Sequence, residues 1–170
     1  ENRPRLYAAM LEAQSLGAVP VPLYQDAVAT EFVFPINNAE VAFAVVEDQE
    51  QVDKLLEIRA QCPQLAHIWY DDPRGLRNYG EPGLASIDAL IEAGRQHAAA
   101  QPGAFDSAVA AGRPDDVAAL FFTSGTTGNP KGVVFHHRGA YLLSMGNVVT
   151  ASMQKHPVYL WTLPMFHCNG

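Results

Sequence analysis

Cysteine is nearly absent from this sequence. Cys62 and Cys168 are the only two among 170 residues and lie far apart, so no disulfide framework is expected and a reducing cytoplasm suits the chain. Basic residues are scarce as well: eleven Lys and Arg stand against eighteen Asp and Glu, giving a formal net charge of -7. The attraction that sustains non-specific binding to a polyphosphate backbone is therefore missing, which argues against nucleic acid as a partner. Apolar runs long enough to cross a bilayer are missing too, and the opening Glu1-Asn2-Arg3-Pro4 lacks the basic-then-apolar order of a signal peptide. The chain has no initiator Met and stops at Asn169-Gly170 straight after an apolar run, so it reads as a soluble fragment. No internal repeat is present.

What the sequence does have is 48% hydrophobic residues, enough at this length to bury one core. From Arg3 to Leu16, Leu6, Met10 and Leu11 recur at helical spacing, with Asn2 placed to cap, Pro4 in the first turn and Gly17 past the end. Ala18 to Leu23 reads as an edge strand interrupted by Pro20 and Pro22. Asp26 to Ile36 carries Val28 and Phe32 as a helix would, but Pro35 is expected to break it. Val41 to Val46 is a continuous apolar run, the pattern of a strand covered on both faces. A helix over Gln49–Gln61 and a strand over Ala66–Tyr70 follow. Asp71 to Pro82 reads as a surface connection, and Ser86 as the cap of a helix reaching about Ala100.

Ala98 to Gly112 is small and weakly patterned, the stretch expected to hold least structure. Strands are then expected at Val117–Phe122, Gly132–His136 and Val158–Leu163, with a helix over Gly139–Met153 between the last two. Strands alternating with helices predict an α/β fold with a mostly parallel sheet flanked by helices.

Between two of these strands lies Thr123-Ser124-Gly125-Thr126-Thr127-Gly128-Asn129-Pro130-Lys131-Gly132, with four hydroxyls, three glycines and one lysine in ten residues. Glycines let the backbone bend and approach a ligand; successive N–H groups in such a turn form an anion-binding concavity, and hydroxyls add donors. Lys131 adds a mobile positive charge, and together these groups suit the phosphates of a nucleotide. A plain flexible hairpin offers a similar composition. Against it stand the Pro-Lys-Gly ending, which a simple turn does not need, and a place at the end of a buried strand, where open α/β sheets bind ligands. The loop is not a Walker A loop. That motif needs Gly-Lys-Ser/Thr before a helix, whereas here Pro130 precedes the lysine, Gly132 follows it, and Val133-Val134-Phe135 continues as a strand.

The ten residues Thr123 to Gly132 resemble the signature loop of the acyl-adenylate-forming (AMP-binding) enzymes, which include acyl-CoA synthetases, luciferases and peptide-synthetase adenylation domains. Leu163-Pro164-Met165-Phe166-His167-Cys168-Asn169-Gly170 is similar to the family segment that lines the acyl pocket, and Gly17 to Leu23 with the helix before it is similar to the early part of the same domain. The resemblance implies that residues 1–170 are part of the large N-terminal domain of such an enzyme, most like a fatty acyl-CoA synthetase. It implies ATP-dependent activation of a carboxylic acid, with release of pyrophosphate, followed by transfer of the acyl group to coenzyme A.

By that match Thr123, Ser124, Gly125, Thr126, Thr127, Gly128 and Lys131 hold the β- and γ-phosphates of ATP, with Lys131 and Thr126 as catalytic residues. His167 is a pocket wall near the carboxylate, ahead of a structural cap or a metal ligand. A zinc site needs three or four converging ligands, and His136 and His137, adjacent on a strand, would face opposite sides. The family's Mg2+ ligands, ribose-binding aspartate and C-terminal-domain lysine fall downstream of Gly170, so the chain alone is expected to be inactive. Two other readings stand beside this one: a noncatalytic nucleotide-binding or assembly module, and an adenylation domain for an aryl or amino acid.

Overall fold

The computed structural model describes residues 3–123, 128–158 and 160. In chain order its elements are α1 (Pro4–Ser15), α2 (Ala29–Asn38), β1 (Phe43–Val46), α3 (Gln49–Ile58), β2 (His67–Tyr70), β3 (Leu84–Ser86), α4 (Ile87–Ala100), α5 (Ala104–Ala111), β4 (Val117–Thr123), β5 (Lys131–His136) and α6 (His137–Thr150), with a 3-10 turn at Arg59–Gln61. Two compact units result. One comprises residues 24–105 with 128–130, and the other residues 3–23, 106–123 and 131–158. The fold is α/β, and the first unit carries a parallel sheet with helices packed on it.

That sheet has the order β1-β2-β3, with Phe43 opposite His67 and Ile68 opposite Leu84. The spacing of apolar residues explains the layer beside it. Val52, Leu55 and Ile58 recur along one stripe of α3 and are all buried, as amphipathic helices require. Ala29, Phe32, Pro35 and Ile36 form the matching stripe of α2, which packs on α3, while α3 packs on β2. Cys62, Leu65, Ile68, Leu76 and Ile87 complete the core of this unit. Asp48 caps α3 by accepting from the Gln51 amide at 3.3 Å, and Ser86 caps α4 by accepting from the Ala89 amide at 3.2 Å, the latter as the sequence predicts.

Several elements depart from the sequence reading. Pro35 lies inside α2 and does not end it; it removes one amide bond, and burial of the ring on the apolar stripe offsets that loss. Only one face of β1 is covered among the described residues, since Phe43 is 59% and Val45 45% exposed. Phe43 instead stacks on the rings of His67 and Trp69 across the exposed side. Residues 18–23 form no strand: Pro20 and Pro22 have no amide to donate, and what remains is the Pro20 carbonyl accepting from the Leu120 amide at 3.1 Å. β3 has no counterpart in the reading because three residues, Leu84–Ser86, are too few to show a period. Residues 98–112, expected to be least structured, are largely helical, as the end of α4 and all of α5; alanine alone has the helix propensity to do this without an apolar stripe. The strand expected over 158–163 falls mostly outside the described residues.

Helix ends supply the first prediction. α1 closes with Gly17 at φ 77, its following amide bonding back from Ala18 to Ala13 at 2.8 Å. α2 closes in the same way from Val41 to Ile36 at 2.9 Å, but the left-handed position is Glu40 at φ 51. A residue with a Cβ is strained there. Glu40→Gly is therefore expected to stabilise the protein by about 0.5–1 kcal/mol, after the entropy that glycine adds to the unfolded chain is deducted. Urea unfolding measures this, and a lower midpoint for the glycine variant would contradict it.

Candidate functional site

The loop singled out by its hydroxyls and glycines joins β4 to β5, which pair antiparallel from Val117 opposite His136 to Thr123 opposite Lys131. It is thus the connection of a hairpin between two strands, as the sequence predicts, but these strands form an antiparallel pair of their own and not part of an open parallel sheet. β4 forms because Val117 to Thr123 is apolar and carries bulky β-formers, with Ala118 and Ala119 buried. β5 follows with its residues mostly exposed. Phe121 and Phe135 meet edge to face at 5.2 Å on one side of the ribbon and hold the strands together.

This pairing brings Thr123 and Lys131 together on the last rung before the loop. The Thr123 hydroxyl donates to the Lys131 carbonyl at 3.4 Å, and the Lys131 side chain is on an exposed residue. Gly128 has φ 101, a conformation that side chains rarely adopt, so a glycine is needed at that point of the loop. Ser124, Gly125, Thr126 and Thr127, and also His167, lie outside the described residues.

At the other end of the hairpin β5 runs directly into α6. His136 closes the strand and caps the helix, its Nδ1 accepting from the Gly139 amide at 2.8 Å. That bond requires the neutral imidazole with its proton on Nε2. A Cβ on Gly139 would lie 2.6 Å from the imidazole, so cap and glycine come as a pair. The sequence reading weighed His136 and His137 only as metal ligands; the signal it passed over was a glycine three residues after a polar side chain at a strand end. Arg138 forms an ion pair with Asp115 at 3.1 Å, and its amide donates to the Pro114 carbonyl at 2.8 Å.

Two further polar groups, Cys62 and Tyr79, have structural roles. Cys62 is 1% exposed, and burial pushes its thiol pKa up, which disfavours the thiolate and removes it as a nucleophile. Tyr79 donates to Asp53 at 2.7 Å and accepts from Gln49 at 2.8 Å; the bond to Asp53 raises its pKa above the ordinary tyrosine value. It ties the β2–β3 connection to α3. An open depression of about 600 Å3 beside α2, lined by Thr30, Val33, Phe34, Asn37, Asn38 and Gln61, holds no ionisable side chain. Among the described residues no group of three or more His, Cys, Asp or Glu could hold a metal ion, and no helix is long and apolar enough to cross a membrane.

Comparison with known proteins gives the following. The family described as AMP-binding enzyme matches residues 1–170. The chain is 32% identical over 168 residues to 4-hydroxybutyrate–CoA ligase 2 of Metallosphaera sedula, covering 98% of this chain and 29% of that protein. It is 65% identical over 52 residues to the peroxisomal acetate/butyrate–CoA ligase AAE7 of Arabidopsis thaliana, covering 31% of this chain and 9% of that one. Among solved structures, the anthranilate CoA ligase AuaEII in complex with anthranoyl-AMP superposes with a TM-score of 0.61 at 24% identity, over 77% of this chain and 22% of that chain. This last likeness concerns the fold.

Proposed function

This chain belongs to the AMP-binding enzyme family, and from that premise we propose that it carries the ATP-phosphate loop of an acid–thiol ligase. In the proposed reaction a carboxylate oxygen attacks the α-phosphorus of ATP, the α–β bridging bond breaks, and pyrophosphate leaves with an acyl-adenylate formed. The sulfur of coenzyme A then attacks the acyl carbon; the thiol gives up its proton, AMP leaves, and a thioester results. Residues 1–170 are assigned to the large N-terminal domain of that enzyme. The chain spans about three tenths of the length of the relatives that match nearly all of it.

The loop's task is to hold the leaving group. Thr123, Ser124, Gly125, Thr126, Thr127, Gly128 and Lys131 are assigned to the β- and γ-phosphates, whose oxygens need several donors aimed at them at once. Supporting this is the hairpin, which sets Thr123 and Lys131 on one rung at the mouth of a turn with a glycine in the left-handed region. Mg2+ would screen the phosphate charge when bound; the described residues offer no carboxylate cluster for it, and its ligands are assigned outside this chain. His167 is assigned to the wall of the acid pocket.

For the acid, a short-chain fatty acid is the first choice. Relatives are named for 4-hydroxybutyrate, acetate and butyrate, and one for benzoate, which leaves an aryl acid as the alternative. The compartment proposed is the cytoplasm, with the peroxisome as the alternative because several relatives are named as peroxisomal. The test is ATP–pyrophosphate exchange by the protein as encoded, run with acetate, butyrate, hexadecanoate, benzoate and an amino acid, followed by thioester detection with coenzyme A. Exchange that peaks with butyrate or acetate is the expected result. No exchange with any acid, together with no ATP binding at millimolar concentration, would overturn the assignment.

A further inference from the structure

The β4–β5 ribbon contains an irregularity that the loop chemistry does not explain. Val117 pairs with His136 and Ala119 with Phe135, so two steps along β4 match one step along β5, and Ala118 is the extra residue of a β-bulge. The residue is only 3% exposed, and a buried carbonyl left unmet is costly. Gln14 meets it. From α1, 104 residues earlier in the chain, the Gln14 side-chain amide donates to the Ala118 carbonyl at 2.7 Å. Two residues along the same strand, the Leu120 amide donates to the Pro20 carbonyl at 3.1 Å.

We infer that Gln14 is a positioning residue for the phosphate loop: its amide selects the bulged register of the hairpin, and through that register the rung shared by Thr123 and Lys131. The reason is periodicity. Side chains alternate between the two faces of a strand, so a slip of one residue turns every side chain beyond it to the opposite face. Without the bulge at Ala118, β5 would pair one step out of place, and Lys131 would lose Thr123 as its partner and change sides relative to it. Pairing continued without the bulge from the Asp116 end would set Ala118 opposite Phe135 and turn its carbonyl toward β5, so a donor waiting on the other side favours the observed pairing over that one. The hairpin's far end adds to the lock, because the His137 amide donates to the Asp116 carbonyl at 3.1 Å. That contact pins the end of β5 but leaves the register of β4 free, which is the degree of freedom Gln14 removes.

This inference rests on the phosphate-loop reading above, and its test separates the two. Gln14→Glu keeps the size of the side chain and replaces the donor by an acceptor, while Gln14→Lys keeps a donor of similar reach. In the protein as encoded, Gln14→Glu is expected to raise KM for ATP about tenfold and to lower kcat by a similar factor, because the displaced donors are assigned both to the bound triphosphate and to the departing pyrophosphate. Gln14→Lys is expected to restore KM to near wild type. Amide hydrogen exchange in Gln14→Glu is expected to quicken at Val133–Phe135 and to stay unchanged in α3.

A wild-type KM for ATP in Gln14→Glu overturns the inference. So does a Gln14→Lys variant as impaired as Gln14→Glu, since volume and not the donor would then matter, and so does exchange that quickens equally in α3. Should Gln14→Glu fail to accumulate, the lysine variant and its exchange pattern carry the test. If Lys131→Ala leaves use of ATP unchanged, the phosphate-loop reading itself falls; if Lys131→Ala impairs it and Gln14→Glu does not, only the role of Gln14 falls.

Discussion

Lys131→Ala is expected to slow acid-dependent ATP–pyrophosphate exchange by roughly 30- to 1,000-fold, equivalent to about 2–4 kcal/mol of transition-state stabilisation. In nucleotidyl transfer the protein does little covalent work, and the barrier falls mainly because donors are already aimed where charge develops. As the α–β bond breaks, negative charge builds on the departing pyrophosphate. In the proposed reaction an ammonium at the loop's end would meet that charge at no cost of reorganisation, whereas water replacing it would have to reorient. The substitution leaves the fold alone, because Lys131 is exposed at the first position of β5, and stability is expected to stay within about 0.5 kcal/mol of wild type. Lys131→Arg is expected to recover only part of the activity, since a planar fork does not reproduce a compact point charge. Exchange by Lys131→Ala within threefold of wild type, with the protein folded, would remove the lysine from the mechanism.

The composition of this loop is more legible in the sequence than its setting. Four hydroxyls, three glycines and a lysine in ten residues stand out against any background because few structural roles call for that mixture. The topology around them was not legible. Alternating apolar strands and helices point to a parallel sheet, and β1 and β2, with α3 between them, obey that rule; β3 pairs parallel to β2 across a helix-free connection, and β4 and β5, joined by the short loop itself, pair antiparallel. α3 was readable from the helical spacing of Val52 and Leu55, and α4 from Ser86 as its cap. α5 was not readable, since alanine, serine and valine give no stripe. Gln14 was invisible for a different reason: its partner is a backbone carbonyl in a bulge 104 residues away, and neither the bulge nor the distance leaves a mark on local composition.

The first unit's stability rests on a few residues of α3, and Ile58→Ala is expected to cost about 3–4 kcal/mol of unfolding free energy, within the range for emptying a well-packed aliphatic site. Ile58 is 0% exposed and is the last residue of α3, directly ahead of the 3-10 turn that leads to the buried Cys62. Three carbons are lost, worth about 0.8 kcal/mol each by transfer, and the cavity adds to this because the site cannot readily collapse. Arg59 follows at once, its guanidinium donating to the Pro82 carbonyl at 2.6 Å, which anchors the chain on that side. Ile58→Val removes a single methylene and is expected to cost only about 0.5–1.5 kcal/mol. Urea unfolding with an unchanged slope measures both values. A loss below about 1 kcal/mol for Ile58→Ala would mean that the core relaxes into the space, and that α3 does not anchor β2 as its buried stripe implies.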